Sequence, residues 1–148
     1  KILEAQREKV AHHKNNESVL RPIPQMCLIL DDLADSGRLQ ARSGLVVSLF
    51  LRARHYGCTV FTCVQKLSSV SSTIRANLKC FSVFRLKSAR EHEAFQEEIS
   101  MALPGGPKTA LAVYDLATSE PHSFLFCDLV RNRFFLRFAP AIRVGDEK

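Results

Sequence analysis

The stretch MCLILDDLADSG, Met26–Gly37, decides how this chain is read. Its apolar run, Met26 to Leu30, leads directly into Asp31 and Asp32. A short continuous apolar run predicts a strand covered on both faces. Adjacent carboxylates are costly to bury without compensation, so both belong where the strand emerges, facing a cation or a reacting group. The loop that follows is broken by Ser36, Gly37, Ser43 and Gly44.

Working outward, Leu45 to Arg54 is apolar on most sides and predicts a helix packed on a sheet, stopped by Gly57. CTVFTCV, Cys58–Val64, is β-branched and aromatic, a second buried strand. Ser71 suits the cap of a short helix through Asn77, and CFSVFRL, Cys80–Leu86, is a third strand. Ser88 can cap a helix from Ala89 to about Leu103, ended by PGGP. The tail runs ALAVYDL, SFLFCDLV and RFFLRF predict a β-meander, with Asp115 and Asp128 on exposed strand faces. Upstream, Lys1–Lys14 predicts a charged helix with Ile2, Leu3 and Val10 as its apolar contacts, and Asn15–Gln25 a polar connector closed by two prolines. The expected organisation is an N-terminal helix and connector, 1–24, and a domain portion, 25–148. Strands alternating with helices imply an α/β fold, a parallel sheet with flanking helices followed by an antiparallel β extension. The opening helix lacks both a cap and an initiator Met, which predicts a cut through a longer protein.

The 148 residues, 46% hydrophobic, suffice for one compact domain. No apolar run approaches the roughly 20 residues that cross a bilayer. No secretory leader is recognisable, so an intracellular location is expected. The five cysteines, Cys27, Cys58, Cys63, Cys80 and Cys127, form no CxxC pair and predict reduced core thiols rather than a zinc site. The net charge of +6 is unevenly spread: from Ala41 to Arg90 there are nine Lys or Arg and no acid. That favours an anionic partner such as phosphate, nucleotide or nucleic acid over a merely solubilising surface.

In parallel α/β sheets ligands bind at the carboxyl ends of strands. Here the first predicted strand ends in Asp31 and Asp32, the second in Gln65 and Lys66, and the helix before the third carries Arg75 and Asn77. An apolar strand ending in an acid pair is the Walker B pattern, in which one carboxylate holds Mg²⁺ through its water shell and the next polarises water. The plainer reading of such an acid is a turn former. An amide after a buried strand can bond a phosphate oxygen and a lytic water together, although an ordinary strand end also explains Gln65.

Taken together, LILDDLADSG, the run from Leu49 to Leu86 containing RHY, a strand ending in Gln and IRAN, then SFLFCDL and RFFLRF, resemble the DNA-packaging ATPases of large double-stranded DNA viruses, a branch of the FtsK–HerA group. The likeness covers Gln25 to Phe138 and implies an additional-strand P-loop ATPase fold, ATP and Mg²⁺ as cofactors, a homo-oligomeric ring, and double-stranded DNA as the translocated substrate. Viral capsid or membrane proteins are implied as further partners, at assembly sites in host cytoplasm or nucleus. Carried over by position, Asp31 is the Mg²⁺-associated acid, Asp32 the catalytic base (relatives often have Glu there) and Gln65 the sensor. Arg75 is the candidate trans-acting arginine, with a surface or DNA-facing role as the alternative, and Arg85 is a second candidate. His55 and Tyr56 are expected to pack at a helix end. Arg42, Lys66, Lys79 and Lys87 are the expected DNA-backbone contacts.

One departure stands out. The chain contains no GxxxxGK[ST] loop to cradle phosphates, the only GG lying in LPGGPKT. Either that segment lies upstream of Lys1, in a motor of which this is the C-terminal portion, or the chain is a non-hydrolysing relative that binds DNA or an oligomeric partner.

Overall fold

The computed structural model describes residues 2–15, 25–31, 39, 44–100, 102, 103 and 105–139. The chain divides into two units, Lys1–Ile74 and Arg75–Lys148. In the first, helix α1 (Ile2–Asn15) buries Gln6 and Val10 and leaves Ile2 exposed, so Val10 alone of the expected apolar contacts is fully buried. Strand β1 spans Met26–Leu30, helix α2 Leu45–Arg52 and strand β2 Cys58–Thr62. Helix α2 buries Val47 and Leu49, then tightens into a 3-10 turn, Ala53–Tyr56, that touches α1, α2 and β2.

Gly57 ends that turn at φ 61, ψ 33, the left-handed conformation that glycine adopts without strain, in line with its expected role as a stop. Its carbonyl then accepts the Met26 N–H at 2.9 Å, which sets β2 beside β1. The two strands pair in parallel from Met26↔Cys58 to Leu30↔Thr62.

Cover on both faces of β1 is not what the structure has. Side chains alternate across a strand, and the register puts Met26, Leu28, Leu30, Cys58, Val60 and Thr62 on the inner face. The opposite face is open, with Ile29 71% and Phe61 53% exposed. An apolar run therefore did not require two covered faces.

A short 3-10 turn, Leu67–Ser69, and helix α3, Ser72–Arg75, follow; α3 stops before Asn77. Ser71 precedes α3, but its buried hydroxyl has no hydrogen-bond partner among the described residues, so the expected side-chain cap is not made.

In the second unit β3 (Cys80–Val83), β4 (Leu125–Asp128) and β5 (Arg133–Leu136) form an antiparallel sheet in the order β3-β4-β5. The third strand thus belongs to the antiparallel part, not to the parallel pair. Helix α4 (Ala89–Ile99) is capped as expected, Ser88 Oγ accepting the Glu91 N–H, but ends short of Leu103.

ALAVYDL is not a strand. It lies in helix α5 (Gly106–Ala117), where Ala110, Val113, Tyr114 and Ala117 recur at helical spacing and are all buried. PGGP opens this helix: Gly105, at φ 89, is its N-cap, and Pro107 occupies the first turn. Asp115 consequently sits on a helix, exposed, and the tail holds two strands among the described residues.

Tyr114, 1% exposed, ties the layers together. Its hydroxyl accepts the Leu86 N–H at 2.5 Å and donates to the Phe84 carbonyl at 3.4 Å, while its ring packs on Phe95 and His92. Phe95, Ile99, Leu125, Cys127 and Phe134 complete the buried core. The whole is a mixed α/β fold, a parallel pair with flanking helices followed by an antiparallel sheet, as the sequence led us to expect.

The thiols are free, but only Cys58 and Cys127 are buried; Cys27, Cys63 and Cys80 are exposed. Burial, and secondarily Cys27, raises the Cys58 thiol, burial alone pushes Cys127 far up, and burial followed by Asp128 raises Cys80. Alkylation of native protein should therefore modify Cys27 and Cys63 first and Cys80 more slowly. Cys58 and Cys127 should react only after denaturation; peptide mass spectrometry showing Cys127 modified in native protein would contradict this packing.

Gly57→Ala should destabilise by about 1 kcal/mol, because an added Cβ meets only the Gln6 and Gln25 side chains at 3.8–4.0 Å and the cost is conformational. Urea unfolding measures it, and Gly57→Asn should recover part of the loss.

Candidate functional site

The carboxyl end of the parallel pair is assembled by backbone pairing. Leu30 pairs with Thr62, and the Cys63 N–H donates to the Leu30 carbonyl at 3.0 Å, prolonging the ladder past both strands. Asp31 follows Leu30 and is exposed; Gln65 and Lys66 follow Cys63 by two and three residues and are exposed too. Asp31 and Gln65 therefore leave neighbouring parallel strands at the same edge, where ligands bind in sheets of this kind. Beside them the Thr62 Oγ1 is buried with no hydrogen-bond partner among the described residues.

Asp32 and Arg42 lie outside the described residues. Arg75, Lys79, Arg85 and Lys87 belong to the second unit. Lys79 and Lys87 are exposed on either side of β3. Arg85 is exposed at a groove of about 540 Å³ that it shares with Leu86, His92, Tyr114, Asp115 and Thr118. His55 is exposed and Tyr56 half-buried at the end of the 3-10 turn.

Arg75 is held tightly. Its Nε donates to Glu98 Oε1 at 2.6 Å and its Nη2 to Glu97 Oε2 at 3.2 Å. The Arg75 and Glu98 side chains are 12% and 16% exposed, against 69% for Glu97. Sequence reasoning passed over both glutamates. Their signal was an acid pair at the end of α4, a helix that keeps Arg90 as its only Lys or Arg.

A hydrated Mg²⁺ carried by nucleotide phosphates needs only one or two protein carboxylates. Asp31 supplies one at the strand end, with the Gln65 amide on the adjacent segment, and these residues fit that mode. They do not fit a dedicated protein cage: no group of three or more His, Cys, Asp or Glu suited to a metal occurs among the described residues. None of the glycines lies in a phosphate-cradling loop of the GxxxxGK[ST] kind.

Paired parallel strands opening at their carboxyl ends, with an antiparallel sheet and flanking helices, match part of a P-loop NTPase-like fold. The solved structures it resembles include the genome packaging NTPase B204 of Sulfolobus turreted icosahedral virus 2, in complex with ATP-gammaS (TM-score 0.61), AMP (0.60) and AMPPCP (0.61). Sequence identity is 16% in each case; the matches cover 88–90% of this chain and 57–60% of B204. At that identity the likeness concerns the fold. No protein-family model matches the chain, and no curated protein sequence does.

Glu98→Gln removes the charge facing a largely buried guanidinium and should destabilise the protein by about 2 kcal/mol. Glu97→Gln, at an exposed position, should cost less than about 0.5 kcal/mol. Chemical denaturation of the two variants checks the contrast; equal losses would show that Glu98 does not anchor Arg75.

Proposed function

We propose that this chain is the C-terminal portion of an ATP-driven motor that packages viral double-stranded DNA, of the FtsK–HerA kind. The observation that carries this reading is the parallel register of β1 and β2, which delivers Asp31 and Gln65 to one edge. Its support is the fold likeness to a viral genome packaging NTPase whose structures hold ATP-gammaS, AMP and AMPPCP.

In this reading Asp31 would hold Mg²⁺ through its water shell, Asp32 would take the proton of the attacking water, and Gln65 would position that water. Mg²⁺, when bound, neutralises charge on the phosphate oxygens. The phosphate cradle is supplied by residues outside these 148. Arg42, Lys66, Lys79 and Lys87 contact the DNA backbone within a homo-oligomeric ring, with viral capsid or membrane proteins as further partners and intracellular assembly sites as the setting. Arg75 acts on a neighbouring nucleotide only by leaving Glu97 and Glu98. Arg85, exposed and without an ion pair among the described residues, is the less encumbered cation for that role.

A second reading, a non-hydrolysing relative that binds DNA or a ring partner, is favoured by the missing GxxxxGK[ST]. DNA-stimulated ATP turnover separates the two. In the motor carrying this chain, Asp32→Asn should lower kcat about 100-fold or more with KM little changed. Equal rates would remove Asp32 from the chemistry, and DNA binding without turnover would establish the second reading.

A further inference from the structure

We propose that the open face of the β3-β4-β5 sheet is a binding platform for single-stranded nucleic acid, its bases stacking on exposed phenylalanines. The register places Ser82, Phe126 and Phe135 on the face opposite to the buried Val83, Leu125 and Phe134. There Phe84, Phe124, Phe126, Phe135 and Phe138 form one connected cluster. Ring centroids lie 5.1 Å apart for Phe84–Phe124, 5.2 Å for Phe124–Phe138, 5.5 Å for Phe126–Phe138 and 5.8 Å for Phe126–Phe135. Phe84 is 56% and Phe138 78% exposed, so the outer rings of the cluster present surface to solvent.

Phe138 reaches this face through an unusual backbone. Strict alternation after Leu136, which pairs with buried Leu125, would send Phe138 to the core side. Arg137 instead adopts φ 56, donating its N–H to the Phe124 carbonyl at 2.9 Å, and Phe138 turns onto Phe124 and Phe126. A non-glycine residue in that conformation costs about 1 kcal/mol, spent here on exposing an aromatic ring.

Charge decides the occupant. The strands and their flanks, 79–87 and 124–138, carry Lys79, Lys87, Arg131, Arg133 and Arg137 against Asp128 alone, besides Arg85, which lies in the groove beside Asp115. Register puts Arg133 on the aromatic face, opposite Asp128. Asp128 is occupied by the Val130 and Arg131 N–H groups and the Arg131 guanidinium. Helices α4 and α5, in the same unit, hold the acids Glu91, Glu93, Glu97, Glu98 and Asp115 against Arg90 and Lys108. Basic charge thus gathers around the sheet and acidic charge on the helices. Aromatic rings on an open sheet face that also carries Arg133, with further cations at the strand ends, suit a polyanion with unpaired bases: the rings take the bases and the cations take the phosphates. An apolar protein segment would use the rings and leave the cations idle.

Fluorescence anisotropy of the 148-residue chain with a labelled oligothymidylate of about twenty nucleotides tests this, beside a duplex of equal length. Binding should weaken about tenfold in Phe138→Ala and in Phe84→Ala, and Arg133→Gln should reduce the salt slope by about one. Duplex binding should be insensitive to the ring substitutions. Asp32→Asn should leave oligonucleotide binding unchanged, so failure of the nucleotide reading does not affect this one. Phe138, the most exposed ring, gives the variant that spares the core, and its melting temperature should stay within a few degrees of the parent. Absence of oligonucleotide binding at low salt, or binding indifferent to both rings, overturns the proposal. So does concentration-dependent self-association abolished by Phe138→Ala without any effect on oligonucleotide binding.

Discussion

Two strands that run the same way cannot be joined by a tight turn, and this constraint shapes the whole first unit. Residues 31–57 must carry the chain from the carboxyl end of β1 back to the amino end of β2, and α2 with its 3-10 turn covers the last part of that return. Gly57 completes it by reversing the backbone where a side chain would resist, and its carbonyl receives Met26. The same constraint brings both strands out at one edge. Asp31 and Gln65 follow the two strands at that edge because of the backbone register. A slip of one residue would turn Cys58, Val60 and Thr62 outward and Phe61 inward, and would shift Gln65 along the edge by one position.

Among the described residues of the second unit, buried side-chain polar groups are answered. Tyr114 sits among aromatic rings, yet its hydroxyl bridges the Phe84 carbonyl and the Leu86 N–H just past the end of β3. These backbone groups lie beyond the β3–β4 ladder, which closes at Val83↔Leu125. One side chain on α5 therefore substitutes for the missing strand pairing and pins helix to sheet. Arg75 follows the same logic with charge. A largely buried guanidinium is tolerable because Glu98, also sheltered, faces it at 2.6 Å. That geometry gives Arg75 a local duty, which any longer-range role must displace.

How much of this was legible depends on the kind of signal. The strands at Cys58 and Cys80, the Ser88 cap and the Gly57 stop were readable because each rests on a few adjacent residues with a local mechanism. ALAVYDL misled because alternation and helical periodicity coincide over so short a window. Extending it back to Pro107 and forward to Ala117 reveals the buried series Ala110, Val113, Tyr114, Ala117. PGGP marks a boundary but not its sense, since glycine ends helices and proline begins them. The open face of β1 was hidden because apolar character favours burial but does not guarantee it. At the candidate site, the parallel pairing of the two strands was legible in their apolar runs, while the roles of the residues that follow them rest on the resemblance. The partnership of Arg75 with Glu98 was missed, because an acid pair at the end of α4 does not say which cation, 23 residues earlier in sequence, the fold brings to it.

Each sheet leaves one face open, and the two faces differ in chemistry. On the parallel pair the open side carries Ile29 and Phe61 between Cys27, Thr59 and Cys63, without a basic residue on either strand. On the antiparallel sheet the rings share the face with Arg133. Duplex DNA presents its phosphates outward and keeps its bases stacked on one another, so it can satisfy cations but has no base faces to offer a phenylalanine. The strained Arg137 would then serve no purpose, since it spends conformational energy on placing a ring. Unpaired bases are the polyanion component that can return that energy, by covering Phe84 and Phe138 while their phosphates remain within reach of Arg133 and its neighbours.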